Sequence, residues 1–223
     1  MDSEDFSESL IIIKATQNDS EEMLDFLNSD FLYNEPLTTS LESKAEDMDP
    51  LFKDLIKLSL QEPCFTYLVR SKASNEIGAI RMTSVLTKPS SENGNHSEES
   101  SEEYPSWKAN AVAKLLGQLE DKAWILYPEV KKFASWVILS VHEKFGRQGI
   151  GRKLIEYRTD EIKEAGCEGI ITEATAFKSQ QLFAKLGYQN VYEILHENYK
   201  ENDKQIFKCL DSTDRAVLFY KPL

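Results

Sequence analysis

The chain of 223 residues has only three cysteines, nine glycines, seven prolines and three histidines. Cys64, Cys167 and Cys209 are odd in number, far apart and without metal spacing, so neither a disulfide framework nor a bound metal is expected. No apolar run approaches the roughly 20 residues a bilayer-crossing helix needs. The opening MDSEDFSESL is acidic where a secretory leader is basic and then apolar, so a cytoplasmic protein with no membrane partner is expected. Positive charge is also short: 26 Lys and Arg stand against 38 Asp and Glu, a net charge of -12. That balance argues against a nucleic-acid partner, which needs clustered cations, and favours cationic ligands.

What is present is enough apolar sequence, 41% of the chain, for one full core. Its organising stretch is WVILSVHEKFGRQGIG. Trp136 to Val141 is an apolar, β-branched run suited to a buried strand, and Glu143 to Gly146 breaks it. Gly149 and Gly151 then open a helix in which Ile150, Leu154, Ile155, Ile162 and Ala165 recur at helical spacing up to Gly166. A strand feeding a glycine-rich turn and a helix start makes an anion site, because backbone N–H groups approach a phosphate with no Cβ in the way. Arg147, Arg152 and Lys153 supply local positive charge there. A P-loop is excluded because no Gly-Lys-Ser/Thr follows, and a dinucleotide fingerprint because Leu154 stands where a third glycine is required.

Around this stretch the expected elements alternate. Leu10 to Ala15 is a first strand, and residues 1–9 a loose acidic tail. Asp19 and Glu22 form a capping box for a helix carrying Met23, Leu24, Leu27, Phe31 and Leu32, which Pro36 stops near Asn34. Glu35 therefore lies at a helix end. A second helix runs from a cap at Asp49 to Glu62, with Pro50 in its first turn. Cys64 to Arg70 and Ile77 to Leu86 form a hairpin, and residues 89–103, PSSENGNHSEESSEE, a mobile acidic insertion. Trp107 to Leu119 and Trp124 to Phe133 have helical spacing. Glu168 to Ala174 is a strand parallel to Trp136 to Val141, Lys178 to Leu186 a helix, and Gln189 to His196 with Ala216 to Lys221 an antiparallel pair.

Three segments carry a resemblance to a known family. VILSVHEKFGRQGIGRKLIEY resembles the acetyl-CoA motif of the GCN5-related N-acetyltransferases, Arg/Gln-x-x-Gly-x-Gly/Ala, with Gly149 and Gly151 at the small positions and Gly146 at the first. DFLYNEPL resembles the aromatic-x-x-Asp-Glu-Pro-Leu signature of invertebrate arylalkylamine N-acetyltransferases, with Asn34 in place of the aspartate. EATAFKSQQLFAKLGY is similar to a third segment of that group, matching at Ala174, Thr175, Ser179, Gln180, Phe183 and Gly187.

The resemblance implies an α/β GNAT fold over residues 10–223, with a mixed central sheet of about seven strands splayed between the fourth and fifth. It implies acetyl-CoA as cosubstrate, held by Leu139, Val141, Arg147, Gln148, Gly149, Ile150, Gly151, Arg152 and Ser179. Glu35 would be the general base, Ser179 the acid for the departing thiolate with Thr175 assisting, and Tyr188 or Tyr192 fallback acids. The Val141 N–H would face the acyl oxygen, and Phe31 and Tyr33 beside Glu35 would meet an arylalkylamine such as dopamine, octopamine, tyramine, serotonin or tryptamine. His96, His142 and His196 have no evident acidic partner in the sequence, and no nucleophile elbow exists, which favours direct attack over an acyl-enzyme. A monomer or weak dimer is expected. Acetylation of polyamines or other small amines, and a non-catalytic acyl-CoA-binding module, remain as alternatives.

Overall fold

The computed structural model describes residues 3–88 and 103–223. Most of the insertion expected at residues 89–103 lies outside the described residues. One mixed eight-stranded sheet carries the fold, in the order β1-β2-β3-β4-β5-β6-β10-β7. Its strands are β1 (Ser3–Asp5), β2 (Leu10–Lys14), β3 (Tyr67–Ser71), β4 (Ile77–Thr87), β5 (Lys132–Val141), β6 (Gly169–Ala174), β7 (Gln189–Leu195) and β10 (Arg215–Pro222). A small hairpin, β8 (Lys200–Glu201) and β9 (Lys204–Gln205), stands apart. All neighbouring pairs are antiparallel except β5 and β6. The eighth strand is the difference from expectation: Ser3–Asp5, read as tail, pairs with Ile11 to Ile13.

Helices cover both faces. On one lie α1 (Ser20–Phe26), α2 (Leu32–Asn34), α3 (Pro36–Ser40), α4 (Ala45–Ser59) and α5 (Trp107–Leu126), packed over Ile13, Leu68, Ile80 and Ile171. On the other, α6 (Ile150–Glu156), α7 (Thr159–Glu164) and α8 (Phe177–Lys185) cover Trp136, Ile170, Ala174 and Phe219. Alternation along β6 puts Ile170 and Ala174 on one side and Ile171 on the other, as a strand buried on both faces requires.

Several boundaries moved for identifiable reasons. Asp19 and Glu22 do not cap α1 as a box: Asp19 Oδ1 and Glu22 Oε1 accept from the buried Arg70 guanidinium at 2.9 and 2.6 Å. Asp19 Oδ2 accepts instead from the Thr16 amide. Helix α4 starts at Ala45 rather than Asp49, because the Asp47 carboxylate accepts from the Lys44 amide at 3.0 Å, and Pro50 is carried inside it. Of the one or two helices expected after Trp107 there is one, ending before Pro128, and Phe133 belongs to β5. The single helix expected after Gly149 is two. The buried Arg81 guanidinium donates to the carbonyls of Leu154 and Tyr157, ending α6, and Arg158 turns left-handed before α7.

Candidate active site

The centre of the molecule is where β5 leaves β6. Ladder pairing between them stops at Ser135 and Ile171, while β5 runs on to Val141 and β6 to Ala174. The cause is visible on the opposite edge of β5. Met82 pairs with Ile138 and Thr83 with Trp136, so Val137 is the extra residue of a bulge that bends the strand. Past the last ladder pair, the Thr172 hydroxyl donates to the Trp136 carbonyl at 3.0 Å, and beyond it the strands are apart.

Register decides which backbone groups face that gap. The His142 N–H donates to the Gly78 carbonyl at 2.9 Å, so Gly78 and His142 are a bonded pair of the antiparallel ladder. Bonded pairs alternate with unbonded ones, so Leu139 and Val141, opposite Arg81 and Ala79, turn their N–H and C=O groups away from β4 and into the gap. The gap therefore offers an unpaired strand edge inside the protein. At its end the chain turns through Gly146 and Arg147, which has φ of 61°, to Gly149 at φ of 74°, the left-handed cap of α6. The first α6 bond of this turn is Lys153 N–H to the Gly149 carbonyl, which leaves the amides of Ile150, Gly151 and Arg152 without intrahelical partners. A Cβ on Gly151 would stand 3.4 Å from Leu182 and 3.8 Å from Val141, so glycine lets α6 lie close to both α8 and the splayed strand.

A cavity of about 620 Å³ runs through the gap and reaches both faces of the sheet. Of the residues expected to form a site, Phe31, Glu35, Leu139, Val141, Arg147, Gly151, Thr175 and Ser179 border it. Gln148, Gly149, Ile150 and Arg152 do not; the Ile150 side chain is buried in the core and Arg152 pairs with Glu156 at 3.3 Å. Tyr33 is 63% exposed and also lies off the cavity, while Phe31 packs edge-on against Phe52 with ring centres 5.9 Å apart. The fallback acids Tyr188 and Tyr192 are not among its walls either: the Tyr188 hydroxyl accepts from the Trp136 indole at 2.8 Å, and burial pushes its pKa up to about 12.

Glu35 occupies a special place in the chain. A π turn over Leu27–Phe31 and the short α2 bring the backbone to a break, where Pro36 holds Glu35 extended at φ -87° and ψ 125°. Glu35 is at once the last residue of that segment and the N-cap of α3. The Leu37 amide donates to its Oε1 at 3.0 Å and the Thr38 amide to its Oε2 at 2.7 Å. Burial raises its pKa, and those two amides with the Thr175 and Thr38 hydroxyls pull it back in part, so the net shift is upward. Ser179 is less free. Its hydroxyl donates to the Ala176 carbonyl at 2.7 Å, within the first turn of α8.

Three features were not foreseen. Glu173 on β6 also borders the cavity. Cys209 donates to the Pro36 carbonyl at 3.4 Å, and burial together with the Glu35 charge pushes its thiol up to about 12, so it stands beside the carboxylate as a neutral group. His142, which seemed to lack an acid in the sequence, has Nε2 at 3.7 Å from Asp30 Oδ1, a contact made across 112 residues of chain. No cluster of metal-ligating side chains occurs among the described residues, and no described helix is long and apolar enough to cross a membrane.

The comparisons with known proteins meet at this gap. Residues 112–190, from α5 to the start of β7, match the acetyltransferase (GNAT) domain. The matched segment takes in β5, α6, α7, β6 and α8, which build the gap, and a GNAT acetyltransferase domain implies acyl transfer from acetyl-CoA. Among solved structures it is similar to arylalkylamine N-acetyltransferase 2 from Aedes aegypti, with 21% identity and a TM-score of 0.79 over 96% of this chain and 98% of that one. It is also similar to a Drosophila melanogaster polyamine N-acetyltransferase that forms N-acetylagmatine, with 17% identity, a TM-score of 0.79 and coverage of 96% and 100%. An agmatine N-acetyltransferase gives 16% identity, a TM-score of 0.81 and coverage of 97% and 100%. At these identities the likeness is one of fold.

Proposed function

We propose that this protein acetylates a small primary amine, which attacks directly while both substrates are bound. The observation that carries the reading is Glu35, a buried carboxylate on the wall of the same cavity into which Leu139 and Val141 turn their unpaired backbone groups. The gap and the amides of Ile150, Gly151 and Arg152 fit coenzyme A: an extended, amide-bearing arm can pair with the free edge of β5, and its phosphates with the turn. Arg147, Gln148 and Gly149 complete that turn, and Ser179 stands beside it. When bound, the coenzyme supplies an acetyl group activated as a thioester.

The chain's own residues do the rest. Glu35 removes the ammonium proton, a necessary step because an alkyl amine with a pKa of roughly 10 is almost fully protonated at neutral pH. The raised pKa of Glu35 makes it a better base than an exposed carboxylate. The Val141 N–H meets the negative charge that develops on the acyl oxygen. Ser179, once its hydroxyl leaves the Ala176 carbonyl, protonates the departing thiolate, with Thr175 assisting between it and Glu35.

Among small amines, the sequence resemblance points to arylalkylamines such as dopamine, octopamine, tyramine, serotonin and tryptamine, with Phe31 as the aromatic wall. A polyamine-type acceptor is the second reading. It is favoured by Tyr33 facing solvent, which leaves the cavity with one of the two expected aromatic side chains. The same proposal places the enzyme in the cytoplasm as a monomer or weak dimer, working without a metal. Acetyl-CoA consumption against aryl amines, polyamines and a lysine peptide tests it. Turnover of a small amine that Glu35→Gln abolishes supports the reading, and coenzyme binding without turnover of any amine overturns it.

A further inference from the structure

The cavity has a second carboxylate that the mechanism does not use. Glu173 is two residues before Thr175 on the same side of the chain and shares the parity of Ile171, which faces α1 to α5. It therefore lies on the Glu35 face of the sheet, and both residues border the cavity. Its Oε1 is buried and finds no hydrogen-bond donor among the described residues. No described Lys or Arg pairs with it. What comes near instead is another acid, Glu120 of α5, whose own pKa burial and Asp121 push upward.

A buried carboxylate normally has a cation or several donors around it, because leaving it unpaired costs several times more than an ordinary hydrogen bond returns. Glu173 is half-buried, its Oε1 has no donor and no described cation pairs with it, and its cavity is open to a ligand. Burial first, and then Glu120, push its pKa up to about 8, so in the empty pocket the carboxyl holds a proton at neutral pH, and a cation bound there takes the place of that proton. An acceptor with one cationic group leaves this arrangement unrelieved, since its single nitrogen must be at Glu35 to react. An acceptor with a second cation relieves it. Both carboxylates face one cavity, and Thr175, two residues after Glu173, is itself a hydrogen-bond partner of Glu35, so one short acceptor can meet both.

We propose that Glu173 is a second subsite of the acceptor pocket, which receives the distal cationic group of a diamine or of an amine bearing a guanidinium. The inference rests on the small-amine reading above and selects a substrate class within it. Glu173 is then a specificity-determining residue, and Glu120 behind it deepens the negative potential without meeting the ligand.

The test compares putrescine with butylamine, which has nearly the same reach and one cation fewer, in the wild type, Glu173→Gln and Glu120→Gln. Putrescine should have a kcat/KM at least about tenfold above butylamine in the wild type. Glu173→Gln should bring that ratio close to one, chiefly through the KM of putrescine, and Glu120→Gln should lower it by a smaller factor. A wild type that turns over butylamine or tyramine as well as putrescine overturns the proposal, and needs no variant to fold. So does a Glu173→Gln enzyme that keeps the ratio. Either result leaves the small-amine reading standing, whereas turnover of no amine overturns that reading and this inference with it.

Discussion

The Thr172 hydroxyl donates to the Trp136 carbonyl at 3.0 Å, one step beyond the last ladder pair of β5 and β6. This bond is the last link between the two strands before the bulge at Val137 takes them apart. Thr172→Val keeps the shape and removes the donor, leaving a buried carbonyl unpaired at a cost of about 1–2 kcal/mol. The expected outcome is a Tm lower by roughly 2–8 °C and a KM for acetyl-CoA that rises more than the KM for the amine. Differential scanning fluorimetry and initial rates on one preparation check both.

Glu35 has two duties, as acceptor for the amides that start α3 and as proposed base. Glu35→Gln keeps one side-chain acceptor for Leu37 or Thr38, so the expected loss of stability is about 1 kcal/mol. The expected loss of kcat is about 100- to 10,000-fold. A variant with the smaller effect on stability and no effect on rate would leave Glu35 as a helix cap alone.

The pH dependence follows from the same carboxyl. A base works when deprotonated, and burial raises the Glu35 pKa above the 4.5 of a free glutamate, against the opposing pull of its amide donors. The limb of kcat/KM that rises with pH should therefore reflect an ionisation above 4.5. Rates for one amine from acid to neutral pH in wild type and Glu35→Gln check this, with the limb absent from the variant.

Arg81 is buried under Tyr67 and Trp136, its charge centre 5.0 and 4.3 Å from their rings, and donates to the carbonyls of Leu154, Tyr157 and Phe65. Burial pulls its pKa down to about 10, still far above neutrality. It joins β4, the bulged part of β5 and the end of α6. Arg81→Met should destabilise by about 3–5 kcal/mol and raise the KM for acetyl-CoA. Denaturant unfolding and coenzyme titration of the folded fraction measure the two effects.

Asp47 gives an acid-stability test. The Lys44 amide first, then Lys108, hold its pKa near 2, below the ordinary 3.8. A carboxylate depressed on folding stabilises the fold above its unfolded pKa, and that contribution fades as pH falls through the folded value. The Tm difference between wild type and Asp47→Asn should be full at pH 6 and vanish near pH 2.

Local signals carried most of the strands and the break at Glu35, because a proline, an alternating apolar run or a glycine turn acts within a few residues. The positions of Gly149, Gly151, Thr175 and Ser179 were legible as motifs for the same reason. What the sequence hid depended on distant partners. The division of one apolar stripe into α6 and α7 needs Arg81, 73 residues before Leu154, to take the terminal carbonyls. Helix α4 starts early because the Asp47 box overrides the usual reading of Asp-Pro as a start. Glu173 carries no local signal, because only the β6 register puts it on the α5 side of the sheet, and Tyr33, read as a pocket wall, faces solvent.

The opening between β5 and β6 goes through the sheet. Phe31 and Glu35 border it from one face, Leu182 and Phe183 from the other. In the proposed reaction, a molecule lodged on the Glu35 side need not block the opening on the α8 side, where the coenzyme would enter. Inhibitors that plug either doorway alone can be distinguished by which substrate they compete with, and one that threads both would hold the enzyme shut from each side at once.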